Sequence, residues 1–345
     1  MTDPKAAPKP ASAAPEWPGL ADWLTAHVPG FAGPLAVRAF DFGQSNPTYE
    51  LRTPARSYVL RRKPAGRLLA SAHAVDREFR VLAALAPTGL PVPRPYALCE
   101  DDAVIGSMFY VMEKVEGRLF RDPLLPELPP AERRQIYLSM VETLARLHAL
   151  DPEALGLADF GRAGNYMARQ VERWTRQYRA STDREIPAME RLIAWLPRTI
   201  PAQTRTSIVH GDYKLDNVLI APTQPRLAAI LDWELSTVGD PLCDFTYMLL
   251  NWAWGPIADL PEPAAAHLPT REELAAAYCE LTGRESLPDL DWFFAYNLFR
   301  LAAIIEGIVG RAREGTARDP AAAAMAARTA PMAEAAWRFA ERAGA

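Results

Sequence analysis

Between His210 and Asn217 the sequence reads His-Gly-Asp-Tyr-Lys-Leu-Asp-Asn, and Asp232 follows fifteen residues after Asn217, at the end of an apolar run. Moving a phosphoryl group to a hydroxyl calls for such a set: one carboxylate, Asp212, to orient the hydroxyl and accept its proton, and an Asn and an Asp whose oxygens hold magnesium on the phosphates. A capped turn without chemistry would use His-Gly-Asp and Asn equally well. Asp232 at that spacing weights the reading towards transfer. Asp244 lies among Leu242, Cys243, Phe245, Tyr247 and Met248, where a buried carboxylate must find hydrogen-bond donors. Glu234 fits either a functional role or a solvated surface. Asp240-Pro241 reads as a helix start, a structural role.

The elements that must position these residues change character along the chain. Short strand-like runs occupy Leu35 to Phe42, Thr48 to Arg52 and Ser57 to Arg61, followed by a helical pattern on Val75, Phe79, Leu82 and Leu85 that Pro87 and Gly89 end. Two further strands are expected at Ala97 to Cys99 and Met108 to Glu113. Beyond Gly117 the pattern is helical, with Glu132 to Leu150 amphipathic through Ile136, Met140, Leu144 and Leu147. It is interrupted by short runs at Ile208 to Val209, Val218 to Ile220 and Leu227 to Leu231. The last stretch, from Pro320, is Ala-rich, and Pro331 is expected to open a second helical segment.

Taken in order, these motifs resemble the aminoglycoside phosphotransferase superfamily of kinase-like enzymes, in particular the branch of the kinase-like domains of acyl-CoA dehydrogenase family members 10 and 11. The family pattern HGDxxxxN falls on His210, Gly211, Asp212 and Asn217, and its DxE pattern on Asp232, Trp233 and Glu234. The resemblance implies an α+β, bilobal protein-kinase-like fold with an antiparallel-sheet front lobe and a mostly helical back lobe. Its expected division is 1–18 as a disordered tail, 19–115 as the nucleotide-binding lobe and 116–345 as the helical lobe. It implies ATP and Mg2+ as cofactors, Asp212 as catalytic base, and Asn217 and Asp232 as metal ligands. His210 would support the loop and Asp244 would hold its backbone.

On the sheet side, Gly43-Gln44-Ser45-Asn46 resembles the family's phosphate-covering hairpin, although an ordinary hairpin turn has the same composition. Tyr58-Val59-Leu60-Arg61 occupies the place of the Val-Ala-Ile-Lys strand of protein kinases, whose cation meets phosphates and a Glu on the next helix, here Glu78. Lys63 shares the face of Arg61, so two cations compete for that role. Adenine recognition would fall to backbone groups of Glu113 and Val115.

Composition sets the outer limits. With 345 residues, 49% hydrophobic and 23% charged, the chain has material for two lobes, and a net charge of -4 gives no general attraction to nucleic acid or anionic membranes. Asp244 to Trp254 and Leu298 to Gly310 are apolar but interrupted by polar residues, so neither reads as a membrane span. Cys99, Cys243 and Cys279 stand in no metal-binding spacing. A cytoplasmic setting is expected. A three-glycine loop, HRD, DFG and APE are absent, which argues against a protein kinase. Aminoglycosides are polycations, yet Arg162, Arg169, Arg173, Arg176, Arg179 and Arg184 stand against only Glu172 and Asp183. That segment is either a solvated helix or a cationic face for an anionic hydroxylated acceptor, such as a hydroxy acid or hydroxyacyl-CoA. The alternatives are an antibiotic kinase and a nucleotide-binding pseudokinase.

Overall fold

The computed structural model describes residues 16–40, 46–64, 74–162, 164–262, 267–313 and 322–345. The chain divides into two units: one runs to Glu116 and takes in Ala228–Glu234, and the other comprises Gly117–Leu227 and Leu235–Ala345. The linear division at 115 and 116 did not contain the returning segment, which carries Asp232 and Glu234 into the first unit.

The first unit opens with α1 (Leu20–His27), then β1 (Ala36–Ala39), β2 (Thr48–Arg52), β3 (Ser57–Arg62), α2 (Val75–Leu85), β4 (Pro95–Cys99), α3 (Asp102–Ile105) and β5 (Phe109–Glu113). The strands form one antiparallel sheet in the order β1-β2-β3-β5-β4. Alternation places Leu51, Tyr58, Leu60, Phe109 and Val111 in a core closed by Leu20 and Leu24 of α1. Helix α1 was not legible in the sequence. Trp17, assigned there to a loose tail, packs edge-on against Tyr49 with ring centroids 4.9 Å apart. Helix α2 buries Val75, Glu78, Val81, Leu82 and Leu85, so its one buried acid faces inward with its apolar stripe.

The second unit begins with α4 (Pro130–Ala149), α5 (Tyr166–Ser181) and α6 (Pro187–Trp195). The short strands β6 (Ser207–Val209) and β7 (Val218–Ile220) follow, then β8 (Leu227–Ile230), which crosses between the units, and β9 (Thr237–Gly239). Strand β6 pairs antiparallel with β9, fixing the chain just before His210. Gly117 lies so close to Ile220 and Leu219 that a Cβ there would meet both at 2.9 Å, which explains the glycine at the crossing.

The remaining helices are α7 (Leu242–Met248), α8 (Leu250–Ala253), α9 (Arg271–Thr282), α10 (Asp291–Arg313) and α11 (Ala326–Arg342). Pro331 lies inside α11 and does not open a segment. Helix α10 packs on α5, α7 and α11 and is buried nearly all round, including Asn297, Arg300 and Glu306. It alone among the described residues is long and apolar enough to cross a membrane, and its most apolar window is 78% buried inside the protein, as a core helix is.

Candidate active site

In the first unit, β3 delivers Arg61 and α2 delivers Glu78. The Arg61 Nε lies 2.9 Å from Glu78, while an Nη lies 2.7 Å from Asp232 and 3.3 Å from Glu234. Burial works against the guanidinium charge, but Glu78 and Asp232 outweigh it and raise its pKa further. Glu78 is nine-tenths and more buried. Burial pushes it up to about 7, helped by the negative charges of Asp232 and Glu234 and opposed by Arg61. Its carboxylate also accepts hydrogen bonds from the Tyr110 hydroxyl at 3.0 Å and the Asn46 amide at 2.7 Å.

Asn46, expected among the phosphate-covering residues, is thus buried and committed to Glu78. Gly43, Gln44 and Ser45 lie outside the described residues. The Glu113 backbone N–H donates to the Arg94 carbonyl at 2.8 Å, which leaves its carbonyl, not its N–H, for another partner. Val115 follows β5 and is half-buried.

Asp232 stands in the left-handed backbone region at φ 63°, a conformation Asp tolerates better than most residues. Its side chain is 34% exposed. The approach is set by Ile230, whose N–H donates to the Pro91 carbonyl at 2.8 Å, and by Trp233, whose indole N–H donates to the Ile230 carbonyl at 3.1 Å.

In the second unit, Asp244 organises the loop before Asp212. Its carboxylate accepts the backbone N–H of His210 at 2.5 Å and of Gly211 at 2.8 Å. Burial pushes this carboxyl up, yet His148, His210 and the Gly211 N–H prevail and hold it below the usual range. His210 is fully buried, and its Nδ1 accepts the Asp212 N–H at 3.2 Å. Gly211 has φ 85°, and a Cβ there would lie 2.6 Å from the Leu235 carbonyl oxygen. Only glycine fits.

The Asp212 carboxylate accepts the Asn217 amide at 2.6 Å, and the same amide donates to the Asp212 carbonyl at 2.9 Å. This fixes the Asn217 side chain with its nitrogen spent on Asp212, leaving Oδ1 as the atom suited to a metal. Lys214 stands 3.4 Å from both Asp212 and Asp216. Burial holds the Tyr247 hydroxyl protonated, and the negative charge of nearby Asp212 adds to this.

Lys214, Tyr247 and Arg300 were missed in the sequence. Lys214 lies within the motif, two residues after Asp212, and its position was signal enough. Tyr247 and Arg300 gave none, because only the packing of α7 and α10 brings them to the loop.

The expected cationic face is also revised. Arg176 pairs with Glu172, Arg179 with Glu190 and Arg184 with Glu306, while Arg169 donates to the Gly164 and Arg162 carbonyls. Acids from α6 and α10 neutralise charges that looked unbalanced within the segment. Arg173 keeps no carboxylate partner among the described residues and lies 5.1 Å over the Trp174 ring.

Asp232 and Asn217 offer oxygen donors only, the ligand chemistry Mg2+ takes. Among the described residues no cluster of three or more His, Cys, Asp or Glu could hold a metal by itself.

A family model described as the phosphotransferase enzyme family matches residues 36–290, and the chain belongs to that family. A crystal structure of a candidate aminoglycoside phosphotransferase from Ralstonia eutropha is 46% identical, with TM-score 0.85, over 94% of this chain and 98% of that one. Acyl-CoA dehydrogenase family member 10 of Mus musculus is 44% identical over 320 residues, 90% of this chain and 30% of the relative. The chain therefore spans about a third of that relative's length. A ternary complex of a thermostable aminoglycoside phosphotransferase APH(4)-Ia mutant with AMP-PNP and hygromycin B shares the bilobal kinase-like fold, with 17% identity, TM-score 0.60, and 93% and 98% of the two chains covered. The fold and the family are those of enzymes that move phosphate to hydroxyl groups of small molecules.

Proposed function

We propose that the chain is an ATP- and Mg2+-dependent kinase of an anionic hydroxylated small molecule, a hydroxy acid or hydroxyacyl-CoA. The observation that carries the reading is Asp212: a carboxylate on a loop braced by Asp244 and His210 and oriented by the Asn217 amide. Such bracing holds a general base within narrow limits.

ATP supplies the γ-phosphoryl group, and Mg2+ offsets the charge on its phosphates. Asp232 and the Asn217 Oδ1 are the oxygen donors assigned to the metal. Arg61, kept charged by Glu78, is the cation assigned to the phosphates in preference to Lys63. Asp212 orients the acceptor hydroxyl and takes its proton as the oxygen–phosphorus bond forms and the bond to ADP breaks. The carbonyl of Glu113 and the backbone of Val115 are assigned to adenine, Glu234 to tuning Arg61, and the segment containing Gly43 to Ser45 to covering the phosphates.

The anionic acceptor is supported by the likeness to acyl-CoA dehydrogenase family members and by Arg173, which has no carboxylate partner among the described residues. A second reading, an aminoglycoside kinase, is favoured by the description of the Ralstonia eutropha protein. Acceptor-dependent ADP release, measured with hydroxy acids, hydroxyacyl-CoAs and kanamycin side by side, separates the two. Turnover on kanamycin alone would reverse the assignment, and ATP binding without turnover on any acceptor would favour a pseudokinase.

A further inference from the structure

Arg300 projects from the core helix α10 and is 6% exposed. One Nη donates to the Gly211 carbonyl, and the guanidinium lies 5.0 Å from the Tyr247 ring centroid and 5.5 Å from that of Trp174. Its Nε is buried without a hydrogen-bond partner, and no carboxylate pairs with it among the described residues. The negative charge of Asp212 supports the buried guanidinium from further off, but only one carbonyl and two aromatic faces touch it, which leaves room for a directly paired anion.

The same guanidinium lines a small recess with Arg173, Gln170, Trp174 and Gly211. Gln170 accepts the Trp174 indole N–H at 3.3 Å, so its own amide nitrogen remains to donate. The recess thus offers two guanidiniums with no direct carboxylate partner among the described residues, and an amide donor. Its link to the chemistry is Gly211, which lines the recess beside Asp212, with the Tyr247 ring facing Arg300 and feeling the charge of Asp212.

We infer that this recess receives the carboxylate of the acceptor, with Arg300 and Arg173 as its partners and the acceptor hydroxyl lying towards Asp212. The inference rests on the kinase reading above and sharpens it: a short hydroxy acid is bound at both ends, by its charge at Arg300 and by its hydroxyl at the base. The planar fork of arginine suits a carboxylate, and the aromatic walls strengthen the pairing by excluding water. Of the six arginines counted in the sequence between Arg162 and Arg184, only Arg173 lines the recess.

The test uses 2-, 3- and 4-hydroxy acids beside their methyl esters, as acceptors for the full chain and as ligands in calorimetry without ATP. Arg173→Met, an exposed position, is the principal variant, and Arg300→Lys is the second. The wild type is expected to prefer acid to ester, and Arg173→Met to raise the KM for the acid about tenfold while changing that for the ester far less. Arg300→Lys should erode the same preference. A purely structural brace on Gly211 would lower kcat for acid and ester alike. Equal use of acid and ester by the wild type, or a preference untouched by both variants, would overturn the recess and leave the kinase reading standing. Calorimetric binding of acids that depends on Arg173, without phosphate transfer to any of them, would support the recess and overturn the kinase reading.

Discussion

The Arg61 guanidinium lies 2.7 Å from the Asp232 carboxylate, 171 residues further along the chain. The strand cation and the proposed metal ligand are therefore one electrostatic unit, with Glu78 on its other side. Arg61→Ala and Asp232→Asn should each raise the KM for ATP, and the double variant should differ from the sum of the two by about 0.5–3 kcal/mol, as for residues in contact. Asn suits the left-handed backbone at 232 better than Ala, so folding is disturbed least. Strict additivity in a titration of ATP at several magnesium concentrations would show that the two act independently.

Asp212→Asn is expected to lower kcat by roughly 10² to 10⁴, the usual contribution of a positioned general base, with nucleotide affinity nearly unchanged. Single-turnover kinetics with a saturating acceptor would measure it. Wild-type turnover would remove Asp212 from the proton-transfer role.

Local pattern carried much of this architecture. The short strand runs at Thr48–Arg52 and Phe109–Glu113, the helical spacing of α2 and the spacing from His210 to Asp232 all depend on neighbours in sequence, and all were legible. The remainder depends on distant partners. Arg300 read only as a break in an apolar stretch, because its meaning comes from Gly211, Trp174 and Tyr247. The arginines of α5 looked unbalanced because Glu190 and Glu306 lie on other helices. Trp17 looked like tail because Tyr49, which it packs against, lies beyond an unpatterned segment.

Asp244→Asn should destabilise the second unit by about 3 kcal/mol, since it places an amide nitrogen against a backbone N–H and removes a buried charge-assisted acceptor. The melting temperature would fall by several degrees, with activity falling further because the loop before Asp212 loosens. An unchanged thermal transition would mean that His210 alone holds the loop.

Glu273 caps α9 through Thr270 and meets Arg134, whose hydrogen bonds lower its pKa to about 2. A depressed carboxylate contributes stability that is present above its unfolded value of 4.5 and is lost as the pH falls through about 2. The pair is exposed, so its contribution is small, about 1 kcal/mol or less. Glu273→Gln should accordingly flatten the loss of stability between pH 4.5 and 2 in urea titrations, with a modest decrease at pH 7. A wild-type slope in that window would assign the acid sensitivity elsewhere.

Gly211 is held by packing, since any side chain there would strike the Leu235 carbonyl. Asp212 beside it is under no such constraint. A descendant of this chain that had lost its chemistry would go on carrying the His-Gly pair for the sake of its fold, while drift removed the Asp. Among distant sequences the pair is therefore a marker of ancestry, and the residue after it the marker of a working enzyme.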